Sequence, residues 1–430
     1  MRSVVAFIAI FFSVNVFSQA DSSQTFVCNN AAVLDTNNIS NKLFDADFYK
    51  QQYFLFGENH GSATPLTVDL ALFKNLYQKA GVRFYIAELD ATKAWLLNKY
   101  LQTGDTNLLS KVMRSWKADT AQWASQENYR KFQGLQKFYQ QLPAGQKFQI
   151  IGVDVFQDYS LVHEHALSLT ENYKEPTFRK AIDSLLRITQ QVTDEKRAEL
   201  NEYARRLLPQ LLAQETKVKA QLKEKYPAFK HFVTSLGFIG SGMTRDSIFY
   251  RNLESLLTIN GWGDQKMYGF IGYFHTLQTG YNGVETFASL LVKHKKATGK
   301  VASMQMMMTE SKVMMPIAGP IKKMMPKQVI EKFINETPGF PTDQRYVPYA
   351  LSNDDPMMMI KGIEELKACS QPNTITLFRL TGKNSPFNRS HNLSAVSGFQ
   401  SLKPTNQAVP TSGIFQYVIF FRGNGPATPL

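Results

Sequence analysis

Cysteine is nearly absent from this chain: Cys28 and Cys369 are the only two in 430 residues. That count excludes a zinc site built from thiolates and a small fold stapled by several disulfides. Two readings of the pair stand. In an oxidising compartment they join and tie the N-terminal arm to the C-terminal half; in the other reading each is a separate buried thiol. Long apolar runs are missing after residue 20, so no later segment is expected to cross a bilayer. Acidic residues are in deficit, 35 against 48 basic, for a formal charge of +13. The positive residues are scattered. The densest groups, Lys293, Lys295 and Lys296 and then Lys322, Lys323 and Lys327, lack the interleaved aromatics of a nucleic-acid platform, so a solvated basic surface is expected and no nucleic-acid partner. There is no G-x-S-x-G elbow, no P-loop and no H-E-x-x-H helix, and no repeat of solenoid type.

What is present begins with Met1-Arg2, an apolar run from Val4 to Phe17 and the small residues Ser18-Gln19-Ala20. This is the pattern of a signal peptide over residues 1–20, with export to the periplasm or the medium as its consequence. The run is short for a membrane anchor and Asn15 interrupts it; no cysteine follows it, which argues against a lipoprotein. Residues 21–430 are then expected to form a single α/β domain.

Apolar runs and helical periodicity alternate along that domain. Residues 53–57 read as a buried strand, and Glu58-Asn59-His60-Gly61 follows it. A helix is predicted over 64–80, with Thr64 as N-cap, Pro65 in the first turn and Gly81 as the stop. Residues 83–87 form a second strand ending at Glu88, with Asp90 capping the next helix; further helices are predicted at about 106–117 and 126–142. A third strand, Phe148 to Val153, ends at Asp154. Residues 158–243, rich in Glu, Lys, Arg and Leu, read as a helical insertion that Pro209 kinks or breaks. A helix over 245–259, a strand from Met267 to Phe274 ending at His275, a helix over 284–296 and a strand over 301–307 complete the alternation. It predicts a mostly parallel sheet covered on both faces. Strands are expected at 374–380 and 414–421, separated by a polar stretch, 384–413, of the kind used as a lid or binding loop.

Glu58 with His60, Glu88, Asp154 and His275 therefore all stand at carboxyl ends of predicted strands. The crevice of an open parallel sheet lies outside those ends, so residues distant in sequence meet there. A neutral imidazole binds a metal or takes a proton from water, and a neighbouring carboxylate orients the ring and raises its basicity. Two histidines with carboxylates and an open position also suit a divalent ion, Zn, Mn or Fe, which would lower the pKa of a bound water. Each piece has an ordinary alternative: a strand-end Asp154 or Glu88 as a helix cap or loop anchor, and a lone histidine as a hydrogen-bonded core residue.

Gly57-Glu58-Asn59-His60 and Gly272-Tyr273-Phe274-His275 are two G-x-x-H motifs, each closing a strand. They resemble the superfamily that contains the erythromycin esterases, the ChaN-type haem-binding proteins and the TraB/TIKI metalloproteases. The esterase branch is further resembled by Glu88 followed by Asn98-Lys99-Tyr100, by Trp116, Trp123 and Glu127, and by Arg245-Asp246 with Asn252 just before the second histidine motif. The likeness covers about 54–154 and 244–300. Two departures lean toward the ChaN and TIKI forms: one residue fewer before His60 than in the esterase G-E-x-x-H-G, and Gly272 where the esterases commonly carry a histidine. The resemblance implies an ester or amide hydrolase acting on a small molecule or peptide. Glu58 and His60 would serve as general base or metal ligands, Glu88 as orienter or ligand, and His275 would complete the set. Arg245 would hold a substrate carboxylate or a developing oxyanion, or pair with Asp246 at the helix end. The resemblance also admits a haem, iron or apolar-ligand binder of the envelope, or a non-catalytic interaction protein.

Eleven of the fifteen methionines fall between Met304 and Met359. Core filling, an adaptable surface for apolar ligands and a Cu(I) site are the three readings of such a cluster. His163 and His165 are close enough to share a metal, although a solvated position is expected for them. His231 and His294 carry no motif, and His391 would reach the site if its loop were a lid.

Overall fold

The structure is a computed structural model that describes residues 23–39, 41–193, 196–294, 300–317, 327–341, 345–398 and 401–430. The expected signal peptide, Met324, Met325 and the lysines 295, 296, 322 and 323 lie outside the described residues.

The chain is α/β, built on one eight-stranded sheet. Its strands are β1 (Ala31–Val33), β2 (Tyr53–Glu58), β3 (Phe84–Ala87), β4 (Gln149–Gly152), β5 (Met267–Gly272), β6 (Val301–Thr309), β10 (Ile375–Arg379) and β12 (Tyr417–Arg422), in the order β1-β10-β12-β6-β2-β5-β3-β4. The six strands from β12 to β4 are parallel; β10 runs antiparallel to both β12 and β1. Two hairpin-like pairs stand apart, β7 (Lys312–Pro316) with β8 (Tyr346–Ala350) and β9 (Met358–Ile360) with β11 (Val396–Gly398).

Strand side chains alternate between faces, and here both faces are apolar, which is why the strands read as continuous runs. Phe54, Phe56, Tyr85, Tyr268 and Phe270 pack on one side with the helices Thr64–Ala80, Ala91–Thr103, Thr106–Ala118 and Gln126–Gln141. Tyr53, Leu55, Ile86, Met267 and Ile271 pack on the other with Arg245–Asn260 and Phe287–Lys293. Between β4 and the helix Arg245–Asn260 lie the helices Val162–Thr170, Pro176–Gln190, Arg197–Ala213, Glu215–Leu222 and Tyr226–Phe238, around a core of their own. Pro209 lies inside Arg197–Ala213 and does not break it; the helix ends one turn later.

Several expectations shift. Thr64 is the first helical residue rather than the cap, and its N–H is received by Asn424 Oδ1 at 3.1 Å. The strand before His275 stops at Gly272, and Tyr273–Thr276 forms a 3-10 turn. The helix expected at 284–296 is found at Phe287–Lys293, with a tight Tyr281–Val284 bridge before it. The polar stretch 384–413 is not an open lid: Phe387, Leu393 and Val396 are buried against Phe415, Val418 and Phe420, on the half of the sheet away from β3 and β4. His391 is exposed there. Met304, Met306, Met307 and Met308 are fully buried in β6, so core filling accounts for them, while Met357 and Met359 are 50% and 45% exposed. Cys28 and Cys369 form a disulfide across a separation of 341 residues. Among the described residues no helix is long and apolar enough to cross a membrane.

Candidate functional site

The central strand β2 is flanked by β5 and β6, and the chain reaches β3 and β4 before returning to β5. The loops leaving β2, β3, β4 and β5 consequently open on the same rim of the sheet, where a parallel sheet places its ligands. Glu58 is the last residue of β2, Glu88 follows β3 directly, Asp154 lies two residues beyond β4, and His275 sits in the turn after β5. All four, with His60 and Arg245, come together.

Glu88 is the hub. Its Oε2 accepts the Gly272 N–H at 2.6 Å and its Oε1 accepts Arg245 Nη2–H at 2.8 Å. His60 Nε2 and His275 Nε2 face the same Oε1 from 3.9 and 3.7 Å. The Nδ1 of each ring is held by a different carboxylate, Glu58 for His60 and Asp246 for His275. The result is two carboxylate–histidine pairs whose free ring nitrogens converge on one buried glutamate. Both motif glycines make this approach possible. A Cβ on Gly272 would lie 3.3 Å from Glu88 Oε2 and from His60 Cε1, and one on Gly57 would lie 2.3 Å from Thr276 Oγ1 and Gln305 Oε1.

Arg245 occupies the first turn of its helix and spans two carboxylates. It reaches Asp154 through Nε at 2.9 Å and Nη2 at 2.5 Å, in a fork geometry that a lysine cannot reproduce. Asp154 also receives the Val155 N–H at 2.7 Å, so it anchors its loop as well as meeting Arg245. Asn252, two turns along the same helix, donates to Val153 O at 2.9 Å and accepts from Ser235 at 2.7 Å, locking β4 to the helix and to the insertion. Trp123 lies edge-on to His60, ring centroids 4.7 Å apart, and Gln122 donates to His60 O at 3.1 Å.

These contacts set the charges. Burial works against the imidazolium of His60, but Glu58 and Glu88 outweigh it and raise its pKa to about 9. His275 is raised as well, burial again being overcome, here by Asp246 and Glu88. Burial pushes the Glu88 carboxyl up, and the two histidines, Arg245 and the Gly272 N–H more than reverse it, so its pKa is lowered. Burial dominates at Asp154, which stays raised despite Arg245; Arg245 itself is held charged by both acids. The site is not sealed, since the side chains of His60 and Arg245 are 28% and 40% exposed.

Sequence reading missed Asp246 as a member of the site. Its neighbour Arg245 suggested a pair within one helix end, whereas the two side chains serve different partners. Its place in the first turn of the helix, shortly before the second histidine motif, was the available signal.

The expected divalent metal does not fit this arrangement. Among the described residues no three His, Cys, Asp or Glu side chains form a group that could hold an ion. The Glu88 oxygen that both Nε2 atoms face is already taken by a guanidinium, and a ligating ion would have to displace it. The second possibility, His163 with His165, also fails. His163 bonds Thr189, while His165 is buried rather than solvated, bonds Thr92 and stacks on Trp95.

No protein-family model and no curated protein matches this chain's sequence. Solved structures do. A Bacillus cereus protein superimposes with a TM-score of 0.66 at 14% identity, over 95% of this chain and 99% of its own. A succinoglycan biosynthesis protein gives 0.65 at 14%, over 95% and 98%. A mutant of the erythromycin esterase EreC in its open conformation gives 0.61 at 12%, over 93% and 99%. The chain shares its fold with EreC. At such identities the likeness establishes architecture, and activity has to be argued from the side chains.

Proposed function

We propose that this protein is an exported hydrolase that cleaves an ester or amide bond with a water activated by His60. The observation that carries the reading is the pair of imidazoles, each backed at Nδ1 by a carboxylate, with both Nε2 atoms turned to one point beside Glu88. Distances of 3.7–3.9 Å are too long for direct hydrogen bonds to Glu88, so each Nε2 is available to water or substrate.

In the proposed reaction unprotonated His60 removes a proton from water, and Glu58 stabilises the imidazolium that forms. The hydroxide oxygen bonds the carbonyl carbon while the C=O π electrons move to oxygen. Arg245 and protonated His275 meet that oxyanion as preorganised donors. Collapse re-forms C=O, breaks the bond to the alkoxy or amino group, and His60 returns the proton to the leaving group. No thiol competes as nucleophile among the described residues, because both cysteines are in the disulfide. Export rests on the N-terminal pattern and agrees with an oxidised pair. The fold shared with EreC supports the reaction class without naming a substrate.

The test is a panel of aryl and alkyl esters and amides presented to the wild type and to His60→Ala. Turnover of at least one ester or amide, lost in the variant, supports the proposal; a wild type inert across the panel, or a variant equally active, refutes it.

A further inference from the structure

The turn that carries His60 begins where β2 leaves the sheet. The ladder to β5 ends at Glu58 and Gly272, and the ladder to β6 ends at Gly57 and Gln305. Beyond Glu58 the backbone has no neighbouring strand of the sheet to fix it. We propose that Gln122 is a positioning residue: it holds the His60 backbone so that the imidazole meets Glu58 at Nδ1 and turns Nε2 to the point beside Glu88. This role rests on the His60 reaction proposed above.

One amide nitrogen makes the hold. Gln122 Nε2 donates to His60 O at 3.1 Å and to Met314 O at 2.7 Å, joining the His60 turn to β7. Both partners are carbonyl oxygens, so the side chain has to present an N–H donor there, and a carboxylate would repel them. Gly61 completes the arrangement. Its O accepts the N–H groups of Met314 and Ala427, each at 2.8 Å. Its φ is +83°, and a Cβ there would collide with Met314 O and stand 2.6 Å from Gln122 Nε2. Glycine at this position leaves room for the amide.

Gln122 is held in turn. It lies between the helices Thr106–Ala118 and Gln126–Gln141, just after Thr120, whose φ of +54° is left-handed. The Ala121 N–H bonds Trp116 O at 2.9 Å, and Ala121 O accepts the hydroxyl of Tyr346 in β8 at 3.1 Å. The same turn meets His60 twice, Gln122 at its backbone and Trp123 at its ring. A reacting group misplaced by about 1 Å costs on the order of 10²-fold in rate, so such a hold is visible in turnover.

The test compares the full chain with Gln122→Met, which keeps the length of the side chain and removes the donor. His60 is titrated by NMR, its signal assigned by its loss in His60→Ala. Glu58, Glu88 and Arg245 are the charged groups that face the ring. A loosened turn weakens the pairing with Glu58, and the His60 pKa should fall by about one unit, a tenfold loss of proton affinity. On an ester that the wild type turns over, kcat should fall about ten- to hundredfold while KM changes by less than about threefold. Gln122→Asn keeps the amide but is one methylene short of reaching both oxygens; it should move both readouts the same way by less. Circular dichroism confirms that each variant is folded. A folded variant whose His60 titrates as in the wild type overturns the proposal, whatever its turnover. So does a shifted titration with unchanged kcat. If the wild type is inert toward every ester and amide, the reaction above fails, and the titration alone decides whether Gln122 positions His60.

Discussion

Asp246 holds His275, not its sequence neighbour Arg245: its Oδ1 meets His275 Nδ1 while the guanidinium next door turns to Glu88 and Asp154. The first turn of one helix therefore supplies an orienting acid to one imidazole and a clamp to the acid that both rings face. Asp246→Asn is expected to lower the His275 pKa, because that carboxylate, together with Glu88, offsets burial there. Hydrolysis should fall by the order of tenfold to a thousandfold through loss of orientation and charge. An NMR titration of His275 checks the first effect and kcat/KM the second; an unmoved titration in the variant would contradict the assignment.

The basicity of His60 fixes the pH profile. As general base it must be unprotonated, and its pKa is about 9. The value of kcat/KM should therefore rise with pH, pass through half its plateau near pH 9 and level off above that. Glu58→Gln removes a cause of the upward shift and should move that limb to lower pH while reducing the plateau. A wild-type limb near the ordinary imidazole value of 6.5 would contradict the pairing. The same shift has a stability consequence. With the folded-state pKa above the unfolded one, the contribution of His60 is complete below pH 6.5 and is lost as pH rises through about 9. Thermal melts in matched buffers would show the decline, and it should be smaller in His60→Ala.

Arg245 is expected to matter for folding as well as for turnover. Removing it leaves Asp154 buried without its cation. A fully buried pair broken in this way costs about 3–5 kcal/mol, and the partial exposure of the guanidinium reduces that to about 2–3 kcal/mol. Arg245→Ala should lose this much in urea denaturation, and Arg245→Lys should recover only part of it because a lysine makes no fork. Full recovery by lysine would show that charge alone matters here.

The disulfide closes nearly the whole chain, joining Cys28 to Cys369. Its removal in Cys28→Ser/Cys369→Ser should cost about 2–5 kcal/mol. The melting temperature of the wild type should fall on reduction, and that of the double variant should not respond to reductant. Equal melting behaviour of oxidised and reduced wild type would contradict a stabilising role.

Where the sequence was legible, the reason is local. The runs before Glu58, Glu88, Asp154 and His275 are buried on both faces, so they announce themselves as strands of a covered parallel sheet. The rim residues follow from that one inference. The three-residue strands β1, β9 and β11 were not legible, because pairing of short edges depends on distant partners rather than on a run of apolar residues. Asp246 and Asn252 were recognisable as members of a motif, but their work is done across 29 and 99 residues, and no spacing rule carries that information. The anchoring of the stretch 384–413 to the sheet rests on Phe387, Leu393 and Val396, three isolated apolar residues in a polar stretch. The cysteine pairing stayed open for the same reason.

The central claim, that His60 is the base that activates water, is tested most directly by chemical rescue. On an ester substrate His60→Ala should lose about 10²–10⁴ in kcat/KM, and added imidazole should restore part of that loss in a saturable, pH-dependent manner. A His60→Ala variant that hydrolyses the ester at the wild-type rate would contradict it.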